Sequence, residues 1–77
     1  MKGIGERIRV LRLRSNMSQE TLAEILGVTR QTISKWELSL SLPEIVNIIM
    51  LSKLFNVTTD AILHDNLINK ENNYANN

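Results

Sequence analysis

The chain of 77 residues has no cysteine, a single proline, three glycines, one histidine and one each of Trp, Tyr and Phe. Each scarcity excludes something. Without cysteine there can be no disulfide and no thiolate metal site, a composition compatible with an intracellular setting. No run of 18 or more apolar residues occurs, and the opening MKGIGERIRVLR is too charged for a signal peptide, so a soluble cytoplasmic protein without a membrane segment is expected. The lone histidine, His64, has neither a second His nor a carboxylate cluster near it in sequence and reads as a helix-terminal surface residue rather than a ligand or base. There is no phosphate loop, no Gly-rich fingerprint and no serine in a nucleophile-elbow context. No enzyme, cofactor, metal or small-molecule substrate is expected.

A chain this short forms one domain with a modest core, burying about 60% of its unfolded surface. Its net charge of +1 is unevenly spread. Residues 1–37 hold seven basic and four acidic side chains, whereas residues 38–77 hold two basic and four acidic ones. That polarity suits a basic face toward phosphates, although a small domain also shows such scatter by chance.

The organising stretch is SQETLAEILGVTRQTISKW, residues 18–36. Ser18 and Thr29 are placed as N-caps of two short helices, and Gly27 between them supplies the positive φ that closes the first. Leu22, Leu26, Val28, Ile33 and Trp36 can meet on one inner side. Arg30, Gln31, Ser34 and Lys35 then lie on the outer side of the second helix, long donors near a positive helix end.

The flanks are helical too. Ile4, Ile8 and Leu11 recur at helical spacing, predicting a helix from about Gly5 to Arg14 that points Arg7, Arg9 and Arg14 to solvent and lets Arg12 turn inward. Asn16, tolerant of the left-handed region, ends it, and Met17 anchors the turn. The alternation LSLSL, residues 38–42, superficially reads as a strand, but it has no partner strand and Pro43 suits the first residue of a helix. That helix is expected over Pro43 to Phe55, with Ile45, Ile48, Ile49, Ser52 and Phe55 facing the core and Leu51 and Leu54 flanking. Asn56 closes it, and Thr58 caps a short last helix whose Ile62 and Leu63 pack inward. Residues 66–77, with six asparagines, cannot bury enough to order, so a disordered tail follows a domain at residues 1–65.

At IRVLR, MSQETLAEILGVTRQTISKWE, SLPEI and LSKLFNVTTDAIL the chain resembles the phage repressor and Cro-like, or XRE-type, helix-turn-helix transcriptional regulators, from about Ile4 to Leu63. The resemblance implies an all-α, compact five-helix bundle, a lambda-repressor-like domain. It implies a sequence-specific double-stranded DNA-binding regulator, a repressor, that inserts the helix after Thr29 into the major groove. The alternative is a helical interaction module of the same fold that sequesters a partner without specific DNA binding. Matched position by position, Arg30, Gln31, Thr32, Ser34 and Lys35 become base-contact residues, and Gln19, Thr29 and Arg9 phosphate contacts. Arg12 and Glu37 become an ion pair tying the first helix to the end of the third. Where the family carries an Asn-Gly-type turn, this chain has Leu38 and Ser39.

Val46, Met50 and Lys53 also recur at i, i+4 and i+7, a stripe opposite the Ile45, Ile48 and Ser52 face, with Val46 and Met50 apolar where similar proteins are usually polar. With Leu40, Leu67 or Ile68 they can form a patch for a homodimer, which would set two reading helices about 34–36 Å apart on a palindromic operator. The alternative is that the tail of the same chain covers them. Leu13 and Ile25 read as scattered exposures.

Overall fold

A computed structural model describes residues 3–64. Five helices follow one another: α1 (Ile4–Arg14), α2 (Gln19–Leu26), α3 (Arg30–Glu37), α4 (Ile45–Phe55) and α5 (Thr59–Leu63). Among the described residues there is no strand; LSLSL is turn and bend. The tail at 66–77, with Leu67 and Ile68, and the domain boundary at 65 lie outside the described residues.

Short polar residues set the helix starts. Ser18 accepts from the Thr21 N–H, Thr29 from the Thr32 N–H and Thr58 from the Ala61 N–H, each in extended backbone geometry. Each bond satisfies one amide that the helix leaves without a partner. The ends of α1 to α4 share one device. Asn16, Gly27, Ser39 and Asn56 take φ of 55°, 73°, 62° and 57°, and the next residue donates back five positions: Met17 to Arg12, Val28 to Ala23, Leu40 to Lys35 and Val57 to Ser52. This left-handed closure turns the chain sharply, and after Gly27 and Asn56 it lays α3 on α2 and α5 on α4.

The core comprises Ile8 of α1, Leu22, Ala23 and Leu26 of α2, Ile33 and Trp36 of α3, Ile48 and Leu51 of α4, and Ile62 of α5. Met17, Val28, Leu54, Phe55, Val57 and Leu63 pack around it. Burying each large aliphatic side chain contributes about 1.5–3 kcal/mol, so every helix is held mainly by its inner face. Helix α3 packs on both α1 and α2, which exposes only its remaining side. The α1–α3 crossing is close: a Cβ on Gly5 would overlap the Trp36 carbonyl oxygen and stand 3.2 Å from Glu37 Cα.

Three sequence expectations are corrected. Helix α4 begins at Ile45 after an N-cap at Glu44, so Pro43 stands before the helix rather than at its first position. Ile45 and Ile49 are exposed, while Leu51 is fully buried; the core face of α4 runs through Ile48, Leu51 and Ser52. The nearly continuous apolar run gave no phase of its own, and docking against the other helices chose it. The buried Ser52 hydroxyl is satisfied by donating to the Ile49 carbonyl at 2.7 Å. Arg7, expected in solvent, instead donates from Nε to the Ile62 carbonyl at 2.6 Å and from a terminal nitrogen to the Leu63 carbonyl at 2.8 Å. It thereby covers two C-terminal carbonyls of α5.

Candidate nucleic-acid interface

Burial of Ile33 and Trp36 fixes how α3 is rotated. Residues opposite those two on a 3.6-residue helix must face out. Gln31 lies opposite them, with Lys35 one turn further on and Arg30 beside it, and all three are exposed. Thr32 and Ser34 are half-buried at the margins. Thr29 does two jobs at the front: its hydroxyl oxygen accepts from the Thr32 N–H at 3.2 Å and shares a 2.9 Å hydrogen bond with the Thr32 hydroxyl. The cap leaves the Arg30 and Gln31 amides without helical acceptors, so the positive end of α3 stands beside two long polar side chains. Two exposed cations, one amide and hydroxyls on a free helical face match the donors and acceptors displayed on the major-groove edges of base pairs.

Behind this face lies a charged network. Arg12 Nε stands 2.6 Å from Glu37 Oε2 and an Arg12 terminal nitrogen donates to Oε1 at 3.0 Å, a two-point contact between α1 and the last turn of α3. The other terminal nitrogen donates to the Met17 carbonyl at 2.9 Å. Both side chains are nearly out of water, at 10% and 3% exposure. Donating to the Glu37 carboxylate raises the Arg12 guanidinium pKa above its ordinary value, against desolvation, which lowers it. The Arg12 guanidinium therefore stays charged wherever the fold exists.

Gln19, expected to hold phosphate through its side chain and the adjacent backbone N–H, donates from Nε2 to Glu37 Oε1 at 3.0 Å. The structure thus ties the first turn of α2 to the same carboxylate. The start of α2 and the ends of α1 and α3 are held to one buried anchor, and the Gln19 and Glu20 amides in the first turn of α2 have no helical acceptors. Arg9 is exposed on α1. Sequence reasoning missed Arg7 and Gly5, both set by contacts with distant residues. Among the described residues no group of three or more His, Cys, Asp and Glu side chains could hold a metal ion. No described helix is long and apolar enough to cross a membrane.

Comparison with known proteins places this geometry. A family model described as helix-turn-helix matches residues 8–62. The chain is 43% identical over 58 residues to the HTH-type transcriptional activator BcrR of Enterococcus faecalis, covering 75% of this chain and 28% of that protein. It is 36% identical over 64 residues to Repressor protein C2 of Salmonella phage P22, covering 83% of this chain and 30% of that protein. Among solved structures, the P22 c2 repressor protein in complex with a synthetic operator matches with a TM-score of 0.77 at 35% identity, covering 82% of this chain and 96% of that one. The chain thus spans about a third or less of those two full-length relatives and nearly all of the repressor chain solved with DNA.

Proposed function

Because this chain belongs to the helix-turn-helix family, in its phage-repressor and Cro-like branch, we propose that it is a sequence-specific double-stranded DNA-binding regulator that acts as a transcriptional repressor. The observation that carries this reading is the outer face of α3, where Arg30, Gln31 and Lys35 are exposed at a capped helix start while Ile33 and Trp36 bury the opposite side. In the proposed mechanism α3 enters the major groove. Arg30 and Lys35 suit guanine O6 and N7, Gln31 suits adenine N6 and N7, and Thr32 and Ser34 complete the contact. The amides at the start of α2, the Thr29 hydroxyl and Arg9 take phosphates, which fix register without reading sequence. Arg12, Glu37 and Gln19 position these elements from behind. Repression follows from occupancy: a domain of this size lying in the groove of a promoter excludes other proteins from the same base edges. The protein works in the cytoplasm without a catalytic step.

The proposed assembly is a homodimer using Val46 and Met50 on a palindromic operator. Both residues are exposed on α4, away from the core face. A dimer doubles the bases read and gives the specificity that one short helix cannot supply.

A salt titration separates this reading from a module that only sequesters a protein. Duplexes selected from a randomised pool should bind with log K falling linearly in log salt, by about 0.9 for each phosphate neutralised. A flat response, or no duplex enriched over the starting pool, would overturn the proposal.

A further inference from the structure

Two hydroxyls at the front of α3 are bonded to each other, and that bond limits what each can offer to DNA. Thr29 Oγ1 accepts the Thr32 N–H at 3.2 Å and stands 2.9 Å from Thr32 Oγ1, and the geometry allows either hydroxyl to be the donor. The matching pair at the start of α2 has one sense only: Ser18 Oγ donates to Thr21 Oγ1 at 3.0 Å while accepting the Thr21 N–H. At the start of α5, Thr58 accepts the Ala61 N–H and meets no second hydroxyl at that position. Among these three capped helix starts, only the pair on the reading helix can run in either direction.

A threonine hydroxyl has one proton to donate and two lone pairs to accept with. If Thr32 donates, both lone pairs of Thr29 are filled, one by the Thr32 amide and one by the Thr32 hydroxyl, and the Thr29 proton is turned out of the pair. If Thr29 donates, the Thr32 proton is the one released. A backbone phosphate oxygen accepts and has no proton to give, so a phosphate contact at Thr29 requires the Thr29 proton. The bond within the pair must then run from Thr32 to Thr29. Thr32 Oγ1 is left with lone pairs alone, on a half-buried side chain next to the exposed Gln31.

We propose that Thr32 is a specificity-determining residue that reads as an acceptor only: while Thr29 donates to a phosphate, Thr32 Oγ1 accepts from the exocyclic amine of an adenine or a cytosine. The inference rests on the DNA-binding reading above, with Thr29 on phosphate, and adds to it the chemical class of base that one position takes. Every base pair shows one such amine in the major groove, adenine N6 or cytosine N4, on one of its two strands. An acceptor at Thr32 therefore fixes which strand carries the amine and rejects guanine O6 and N7 or thymine O4 in the same place. Arg30 and Lys35 offer donors alone, so neither can make that selection. Phosphate anchoring and base reading are linked through a single hydrogen bond.

Duplexes selected from a randomised pool by wild type test this when single amines are deleted, with deoxynebularine replacing deoxyadenosine and deoxyzebularine replacing deoxycytidine. Wild type binds about three- to tenfold more weakly when the amine under Thr32 is removed. Thr32→Val, which keeps the shape and loses the hydroxyl, is indifferent to that deletion and responds as wild type does at the position read by Gln31. Thr29→Asp keeps the cap and accepts from Thr32 but has no proton for a phosphate, so its affinity falls on all duplexes while the amine preference persists. Thr29→Val removes the acceptor, frees the Thr32 proton and admits guanine or thymine at that position; thermal melts establish that each variant folds, and Thr29→Asp carries the test if Thr29→Val does not. Identical responses of wild type and Thr32→Val at every deleted amine overturn the base contact. A Thr29→Asp that prefers guanine or thymine there, or a folded Thr29→Val that keeps the wild-type preference, overturns the fixed sense of the pair. In those cases steeply salt-dependent binding of wild type to its selected duplexes leaves the DNA-binding reading standing, whereas a pool in which no duplex enriches defeats that reading and this inference with it.

Discussion

Replacing Arg12 by Ala removes three hydrogen bonds at once, two to Glu37 and one to the Met17 carbonyl. The Glu37 side chain, only 3% exposed, keeps Gln19 as its remaining partner. A neutral amide cannot offset a buried carboxylate, and breaking a buried pair from one side costs about 3–5 kcal/mol. A chain of this length has roughly 4–12 kcal/mol of stability to lose, so the change removes a large part of it. In urea, with m near 1 kcal/mol/M, the midpoint should fall by about 3 M or more, and thermal unfolding should fall by about 15 °C or more. Arg14→Ala, at an exposed site in the same last turn of α1, is the control and should cost no more than about 1 kcal/mol. Removing both charges together, as Arg12→Met with Glu37→Leu, should recover most of the loss, because nothing charged is then left buried. Equal midpoints for Arg12→Ala and Arg14→Ala would refute the reasoning. A double variant as unstable as Arg12→Ala would show that shape rather than charge holds the site.

Gly5→Ala should destabilise by about 2 kcal/mol or more, since the new methyl must push α1 off the Trp36 carbonyl, whereas Gly3→Ala meets nothing within 4 Å and should be near neutral; thermal melts of the pair decide it. Ser39→Gly should raise stability by about 0.5–1 kcal/mol by relieving the left-handed residue at the end of α3, partly offset by a freer unfolded chain; an unchanged or lowered melting temperature contradicts the strain. Arg9→Ala should weaken binding to all duplexes alike and reduce the salt slope by about one, and a loss confined to one base sequence would show that Arg9 reads bases.

The parts of this fold that could be read from sequence are those set by near neighbours. Ser18, Thr29 and Thr58 cap amides three residues away, and Asn16, Gly27 and Asn56 close their own helices, so short-range chemistry names them directly. The outward face of α3 could be read for the same reason, because Ile33 and Trp36 give a two-residue apolar signature against polar neighbours. What could not be read depends on distant partners. The run IVNIIMLSKLF is apolar on nearly all sides, so its phase is decided by contact with α2 and α5 rather than by its own period. Arg7 finds acceptors 55 and 56 positions away, and Gly5 is required by a carbonyl 31 residues further along. Gln19 carries a residue type suited to phosphate, yet its amide reaches the nearer buried carboxylate of Glu37. Local chemistry states what a side chain can do; the packing decides which partner it meets.

The central claim is that the exposed face of α3 reads bases, and Gln31 lies at the middle of that face. The most direct measurement compares wild type and Gln31→Ala on a selected duplex, on single-base variants of it and on random DNA at fixed salt. The account predicts a loss of about 1–3 kcal/mol on the selected duplex, little change on random DNA, and relaxed preference at one position per half-site. Equal losses on selected and random DNA, or an unchanged preference at every position, would contradict it.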